Sequence, residues 1–340
     1  MSEKVHIVEL ELLRKRIYEN EIINWLFAKL GKYLRNKEIF HLALRFIFNK
    51  NITKMPDDDP IFITSESKIA DEQLEVDLKF HNIHLQKIPI FLNEQFNKAL
   101  TLFNIQKKNV LEDKHIKITE NCKEGIIIYG NRQYQDISNL AKKNPDKVNY
   151  ALALNIRYTY LTLTTNGLAR DFKGMGYKTN QSTEGFASAF NRYFDNYCSA
   201  FPDLESVFGS RGSFFDTKTW STDIVYINPP FDEVLMSLSM QRIYQYLREN
   251  PESKIKFIFT LPNWPNWDSL EQLKKSEWTI DSKVFLKSER ELPFIDYMND
   301  CIIIYPCDIA EVYLQGGKRD VSGEKDVSGD ELQMFKELKL

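Results

Sequence analysis

Apolar side chains recur every three to five residues along the first fifty positions of the chain. The repeating positions are Leu10, Leu13, Ile17, Ile22, Leu26, Leu30 and Leu34. This spacing puts them on one side of a helix and predicts one or two amphipathic helices between Val8 and Lys50. Basic residues dominate the polar sides, where they suit either a solvated face or contact with RNA phosphates, and the solvated face is the commoner use.

The pattern between residues 61 and 150 is mixed. Short β-like pieces, IFIT and GIIIYG, flank a helical stretch around Asn93–Phe103. No topology follows from these pieces.

Strand and helix signals alternate beyond Asn149, where the helical segment ALALNIRYTYLTL begins. The predicted helices are Ser188–Phe201 and Asp232–Glu249, and the predicted strands are Asp223–Ile227, Lys254–Leu261 and Asp300–Tyr305. Such alternation favours an α/β architecture with a largely parallel sheet. We therefore predict a mainly helical RNA- or cap-binding domain over residues 1–150, an α/β domain over 151–314 and a flexible polar tail over 315–340.

Composition and charge narrow the function classes. The 340 residues carry 45 basic and 48 acidic side chains, a net charge of −3, so charge alone does not indicate a nucleic-acid partner. No apolar run is long enough for a membrane span, and no secretory leader is visible, so we expect an intracellular protein. The four cysteines are too widely spaced to predict a disulfide framework or a zinc site, and no metal is expected.

The most informative tract is DIVYINPPFDEVLM. An apolar run ends at Ile227, the tetrapeptide Asn228, Pro229, Pro230 and Phe231 follows, and an amphipathic helix then begins. Ligands of open α/β sheets bind at the carboxyl ends of strands, where this tetrapeptide would lie. A simple turn with a core-packed Phe231 is the alternative, and the full context favours a catalytic tetrapeptide.

Methylation of an exocyclic amine suits this tetrapeptide. The lone pair of the adenine N6 amine is delocalised into the ring, which makes the planar amine a poor nucleophile. The Asn228 side-chain oxygen and the Pro229 carbonyl can accept its two N–H groups and draw the nitrogen toward sp³ geometry. Phe231 offers a face on which the extruded base can stack.

A second turn lies upstream, in the tract beginning at Glu184. An acidic residue followed by small residues suits the methionine part of S-adenosylmethionine, with Glu184 facing the ammonium group. This pattern is weak by itself. Its alternative is an ordinary helix start with Ser188 as the N-cap.

Three tracts together carry a family resemblance: EGFASAFNRYFDNYCSAFPDLESVFGSRGSFFD, INPPFDEVLM and IKFIFTLPNW. From about Glu184 to Trp264 the chain resembles the catalytic core of the phosphorylated CTD-interacting factor 1 family, the cap-specific adenosine N6-methyltransferases. The resemblance implies a Rossmann-like domain that uses S-adenosylmethionine, behind a helical domain. It also implies capped mRNA as substrate, with a 2′-O-methylated first adenosine, and a nuclear location in a eukaryotic cell or a cytoplasmic one for a viral or protist source.

The resemblance also assigns residues. The family's catalytic tetrapeptide corresponds to Asn228, Pro229, Pro230 and Phe231. The implied cofactor residues are Glu184, Phe186, Ala187, Ser188, Asp203, Gly209 and Ser210. The implied RNA or cap contacts are Arg157, Arg170, Arg211 and Glu233, although a structural salt bridge is an equal alternative for each arginine.

One departure from the family limits what is expected. Trp25 is the only tryptophan before Trp220, so no WW module is visible and binding to the phosphorylated polymerase tail is not expected. Two other functions remain open at this point: methylation of internal RNA or DNA adenines, and a non-catalytic module that binds capped RNA.

Overall fold

The computed structural model describes residues 6–55, 57–85, 87–112, 145–162, 168–170, 181–265, 267–289, 293–296, 301–304 and 306–317. The predicted strand GIIIYG and most of the predicted tail lie outside these ranges.

A helical layer forms the first part of the chain. Its elements are α1 (Ile7–Ile17), a π-helical turn (Tyr18–Ile23), α2 (Asn24–Leu30), α3 (Asn36–Thr53), α4 (Lys68–Phe80) and α5 (Ile88–Glu112). Their apolar faces share one core that includes Leu10, Leu26, Phe46 and Phe96. The helices predicted from the spacing of Val8 to Lys50 and around Asn93–Phe103 are confirmed.

The β-like tract IFIT is not a strand, so that prediction was wrong. Ile61, Phe62 and Ile63 are fully buried in an irregular segment between α3 and α4. The Asp59 carboxylate accepts the backbone amides of Ile61 and Phe62 at 2.9 and 3.0 Å. A side chain therefore takes over the hydrogen bonds that a neighbouring strand would otherwise make.

Helix α6 (Pro145–Thr162) connects the helical layer to the rest of the molecule. Tyr160 and Leu161 pack in the core of the helical layer, whereas Ala153 and Leu154 pack against a second cluster with Phe190 and others. The helix spans the predicted domain boundary at residue 150, and the predicted domain limits stay a prediction.

After helix α6 the described part of the chain contains nine strands: β1 (Leu168–Arg170), β2 (Ser182–Glu184), β3 (Asn196–Tyr197), β4 (Ile224–Ile227), β5 (Lys256–Pro262), β6 (Thr279–Phe285), β7 (Pro293–Asp296), β8 (Cys301–Ile304) and β9 (Ile309–Gln315). Six of them form a sheet in the order β3-β2-β4-β5-β9-β6, and β1, β7 and β8 form a small antiparallel sheet. Strands β3, β2, β4 and β5 are parallel, and β9 runs antiparallel to both β5 and β6. The result is a mixed sheet in an α/β fold, as predicted at that level. The predicted strands correspond to β4, β5 and β8 within two residues at each end.

The two faces of the central strands bury different groups, because side chains alternate along a strand. Val225 and Phe257 face a cluster with Met236 and Ile243 of helix α8 (Glu233–Glu249). Tyr226 and neighbouring residues on the other face pack on Phe194. Two further helices among the described residues are α7 (Pro202–Glu205) and α9 (Asp268–Lys275). The predicted helix Asp232–Glu249 is confirmed, with Asp232 as its N-cap.

The predicted helix Ser188–Phe201 was wrong. This segment contains a turn at 189–191, strand β3 and irregular backbone. Its aromatic residues have helical spacing, but they enter different cores: Phe190 packs beside α6, Phe194 packs on the sheet and Phe201 packs in the helical layer. A single helix could not point its side chains in so many directions.

Candidate active site

The carboxyl ends of β2 and β4 lie side by side at one edge of the sheet. Strand β2 continues to β3 on one side, and the chain then returns to β4 on the other side, so the order of strands switches at β2. The Gly185 amide, just after β2, donates to the Tyr226 carbonyl of β4 at 2.7 Å. Such a switch point is where open α/β sheets bind their ligands.

The tetrapeptide after β4 forms a tight turn into helix α8. Asn228 and Phe231 are half-buried, Pro229 is buried and Pro230 is exposed. The Asp232 amide donates to the Pro230 carbonyl at 2.7 Å, and the Asp232 carboxylate caps the helix by accepting the Leu235 amide at 2.9 Å. The predicted context of strand, tight turn, aromatic residue and helix is therefore present.

Trp264 forms an aromatic corner with Phe231. The two ring centroids are 6.4 Å apart and the planes are nearly perpendicular, at 83°. Trp264 follows β5, which is the neighbour of β4, so both rings belong to the same edge of the sheet. The sequence analysis did not single out Trp264, although an aromatic residue directly after a buried strand was a usable signal.

The Glu184 carboxylate is buried at the end of β2. It accepts the backbone amides of Tyr193 at 2.8 Å and of Phe194 at 3.4 Å. Burial raises the pKa of Glu184 to about 8, and the two amides and Arg192 oppose that rise only in part. A cationic ligand group would relieve the cost of burying this charge.

Gly185 lies so close to its neighbours that a side chain at this position would collide with them. A Cβ at this position would lie 2.9 Å from a ring carbon of Phe214 and 3.2 Å from the Tyr226 carbonyl oxygen. Phe186 packs on the same Phe214 ring, with centroids 4.7 Å apart. The chain therefore makes a close backbone approach between β2 and β4, walled by aromatic rings. Phe214 is another residue that the sequence analysis did not assign to the site.

The turn after Phe186 is held by side chains. Ala187 donates its amide to the Cys198 carbonyl at 3.0 Å. The Asn191 side-chain oxygen accepts the amide and the hydroxyl of Ser188 at 2.7 and 3.0 Å. Ser188 is thus buried in a turn and does not cap a helix, which excludes the alternative reading of this residue as an N-cap.

Glu205 anchors this turn from helix α7. Its fully buried carboxylate accepts the Ala189 amide at 2.5 Å and the Tyr158 hydroxyl at 2.9 Å. Burial raises the pKa of Glu205 to about 8. It was missed because nothing in the sequence distinguishes it from other acids in this tract.

Gly209 and Ser210 lie beyond the end of β3. Ser210 forms a bridge with Tyr197, and its hydroxyl is 2.6 Å from the Ser199 hydroxyl. Gly209 adopts a φ of +101°, which favours glycine. Both therefore lie near the carboxyl end of β3, next to the Glu184 turn.

Asp203 and Arg157 pair with each other. The Arg157 guanidinium is fully buried and contacts Glu11 at 2.7 and 2.9 Å and Asp203 at 2.8 Å. For Arg157 the structure thus shows the salt-bridge alternative, so a contact with RNA phosphate or cap is not supported. Asp203 keeps an exposed side, with 38% of its side chain accessible.

The remaining assigned contacts are dispersed. Arg211 is exposed, and its guanidinium contacts the Ser221 hydroxyl. Glu233 is exposed in the first turn of α8. Arg170 is the last residue of strand β1, which pairs with β7 in the small sheet and is not part of the main sheet.

The residues that the structure describes contain no group of three His, Cys, Asp or Glu side chains arranged to hold a metal ion. None of the helices described is sufficiently long and apolar to cross a membrane.

Known proteins resemble this part of the chain. Residues 142–293 match the family model described as phosphorylated CTD interacting factor 1 WW domain. Over 112 residues, 32% of this chain, the sequence is 39% identical to a human protein named mRNA (2′-O-methyladenosine-N(6)-)-methyltransferase and 38% identical to the mouse protein of that name. The aligned segment spans 16% of the length of each relative.

The matched family model covers α6 and strands β1 to β6, and the resemblance predicted from the three sequence tracts is confirmed there. Its description names a WW domain, whereas the sequence analysis found none. The expectation that this chain does not bind the phosphorylated polymerase tail therefore stays a prediction. The WW domain in the description of the family model argues against it.

Proposed function

Because residues 142–293 are similar to the phosphorylated CTD-interacting factor 1 family, we propose that this chain methylates the N6 amine of the cap-adjacent adenosine of capped mRNA. One observation carries the proposal: the Asn228 tetrapeptide and the Glu184 turn leave adjacent parallel strands and are tied by the Gly185–Tyr226 hydrogen bond. A cofactor site and a substrate-amine site would then meet at the switch point of a Rossmann-like sheet.

The residues at the end of β2 fit S-adenosylmethionine. The Glu184 carboxylate would hold its ammonium group, and the close approach at Gly185 leaves backbone accessible where a Cβ would intrude. The same turn continues through Phe186, Ala187 and Ser188. The end of the neighbouring strand β3 lies close to Gly209 and Ser210. The bound cofactor would supply an electrophilic methyl group.

The tetrapeptide residues prepare the amine. Two acceptors, the Asn228 side-chain oxygen and the Pro229 carbonyl, would take the two N–H groups of adenine N6. Pro230 fixes the backbone, and the hydrogen bond from Asp232 to the Pro230 carbonyl holds the turn closed. The amine loses its proton readily after methylation, so no strong general base is required.

The Phe231 and Trp264 corner would receive the base. A base stacked on the Phe231 face would meet the Trp264 ring along its edge, since the rings are nearly perpendicular. Stacking on an aromatic side chain contributes about 1–3 kcal/mol per base. This slot binds an extruded adenine and does not by itself read the cap.

The test is a methyl-transfer assay on two capped RNAs that differ only in the first nucleotide. We expect N6,2′-O-dimethyladenosine, identified by mass spectrometry of the nucleotides, from the RNA that begins with adenosine and no product from the one that begins with guanosine. Equal labelling of both, or no labelling by the wild type, would refute the proposal.

Competition by free methylated cap analogue separates the proposed function from its alternatives. Inhibition supports cap dependence, whereas indifference with full activity indicates an enzyme acting on internal RNA or DNA adenines. Calorimetry with S-adenosylhomocysteine addresses the non-catalytic module: binding is expected here, and its absence would favour a module that only binds RNA.

A further inference from the structure

One side chain of the helical layer reaches the helix that follows the tetrapeptide. Arg45 lies on α3, and its guanidinium contacts two carboxylates at once. One nitrogen lies 3.0 Å from Asp77 of α4, and another forms an ion pair with Asp232. The helical layer and the catalytic edge of the sheet are therefore joined by a bridging arginine.

Asp232 uses its two oxygens for different purposes. Oδ1 accepts the Leu235 amide and caps helix α8, while Oδ2 pairs with Arg45. The Asp232 side chain is only 9% exposed, and its Oδ2 accepts no hydrogen bond within the described part of the chain, so the ion pair with Arg45 is what offsets its charge there. Arg45 thus supplies the counter-charge of a buried carboxylate immediately after Phe231.

Most exposed ion pairs contribute little to stability, and Arg45 itself is 39% exposed. The contact with Asp232 differs, because loss of Arg45 would leave a buried carboxylate whose Oδ2 has no counter-charge. Asp232 can relieve that cost by moving toward solvent. Such a movement would shift the amide that closes the turn on the Pro230 carbonyl, and with it the acceptor at Pro229.

We propose that Arg45 is a positioning residue for the reaction: it fixes Asp232 and, through Asp232, the Asn228–Phe231 turn. This inference rests on the proposed function. It makes turnover depend on contact between the helical layer and the sheet.

The experiment compares three single variants with the wild type. Arg45→Met keeps the apolar stem and removes the charge. Asp232→Asn keeps an N-cap acceptor and removes the ion pair. Asp77→Asn is the matched control, because it breaks the other half of the Arg45 bridge and leaves Asp232 paired.

We expect kcat to fall at least about tenfold in Arg45→Met and in Asp232→Asn, since small displacements of reacting groups have effects of this size or larger. The KM for S-adenosylmethionine should stay within about twofold, and Asp77→Asn should resemble the wild type. The double variant Arg45→Met/Asp232→Asn should lose no more than the worse single variant.

Three outcomes would overturn the inference: unchanged kcat in Arg45→Met, additive losses in the double variant, or an equal loss in Asp77→Asn.

Hydrogen exchange at the Asp232 and Leu235 amides provides a readout that needs no activity. If the wild type proves inactive on capped RNA, the proposed function fails, and exchange still decides the positioning role. Faster exchange in Arg45→Met than in Asp77→Asn supports it, and equal protection overturns it.

Discussion

The Gly185 amide donates to the Tyr226 carbonyl at 2.7 Å, and this hydrogen bond joins the turn after β2 to the strand that carries Asn228. A Cβ on Gly185 would lie 3.2 Å from the same carbonyl oxygen, so the absent side chain leaves this approach open. The turn proposed to hold the cofactor and the turn proposed to hold the substrate amine are therefore held in register by a backbone hydrogen bond.

Gly185→Ala should disrupt this registration. The new Cβ would lie 2.9 Å from Phe214, so the ring or the turn has to move, and overpacking of this kind costs about 1–3 kcal/mol. We expect weaker binding of S-adenosylhomocysteine by calorimetry and a lower unfolding temperature. Gly212→Ala is the control, because no atom lies within 4 Å of its Cβ and only its φ of +98° is strained. Cofactor affinity that falls equally in both variants would contradict the role given to Gly185.

Asn228→Ala should slow turnover strongly and leave folding intact. The side chain is half-buried at the carboxyl end of β4, and the variant removes one of the two acceptors proposed for the amine. Loss of one such electrostatic contact lowers kcat about 10²- to 10³-fold. Single-turnover rates would measure the effect, and unchanged binding of S-adenosylhomocysteine would show that the fold is retained. A variant that keeps its rate would exclude Asn228 from catalysis.

The aromatic corner predicts a graded effect. Phe231→Ala should lower kcat/KM for capped RNA by one to two orders of magnitude, in line with a stacking contribution of about 1–3 kcal/mol. Trp264→Phe should retain much of the activity that Trp264→Ala loses, because a smaller ring still closes the corner. Trp278→Phe, altered in the buried core against which the corner packs, serves as the control for general loss of packing. Equal activity of the Phe and Ala variants at 264 would argue against an aromatic wall.

Glu205 predicts a pH dependence of stability. Its pKa is about 8 in the folded protein, against an ordinary value of 4.5, so between these values the folded state holds a proton that the unfolded state has released. Its contribution to stability therefore falls as the pH rises through this window. Glu205→Gln cannot ionise, so its free energy of unfolding relative to the wild type should rise by at least about 1 kcal/mol from pH 5 to pH 8.

Chemical denaturation at several pH values measures this difference. Glu271→Gln is the control, since Glu271 is exposed and its pKa is lowered by Lys274. A constant difference between Glu205→Gln and the wild type across the range would show that the Glu205 carboxylate is already ionised at pH 5.

Local patterns predicted some elements of this chain well. Helix α8 was found because its apolar periodicity serves a single core. Strands β4 and β5 were found because a continuous apolar run suits a strand buried on both faces, and the tetrapeptide marks the turn between β4 and α8. The segment from Ser188 to Phe201 was wrongly predicted as a helix, because its aromatic residues have helical spacing but enter several cores. Arg157, Glu205 and Trp264 depend on partners distant in the sequence, and only the fold shows which of them are buried and paired.

The position of β9 has a consequence for how the chain is made. This strand, Ile309–Gln315, comes late in the sequence, yet it lies inside the sheet and pairs with β5 on one side and β6 on the other. During synthesis, the edges of β5 and β6 that pair with β9 stay unpaired until β9 emerges from the ribosome. Exposed edges of this kind can pair with other chains. The order of translation therefore makes the nascent protein most prone to aggregation just before its last described strand is complete.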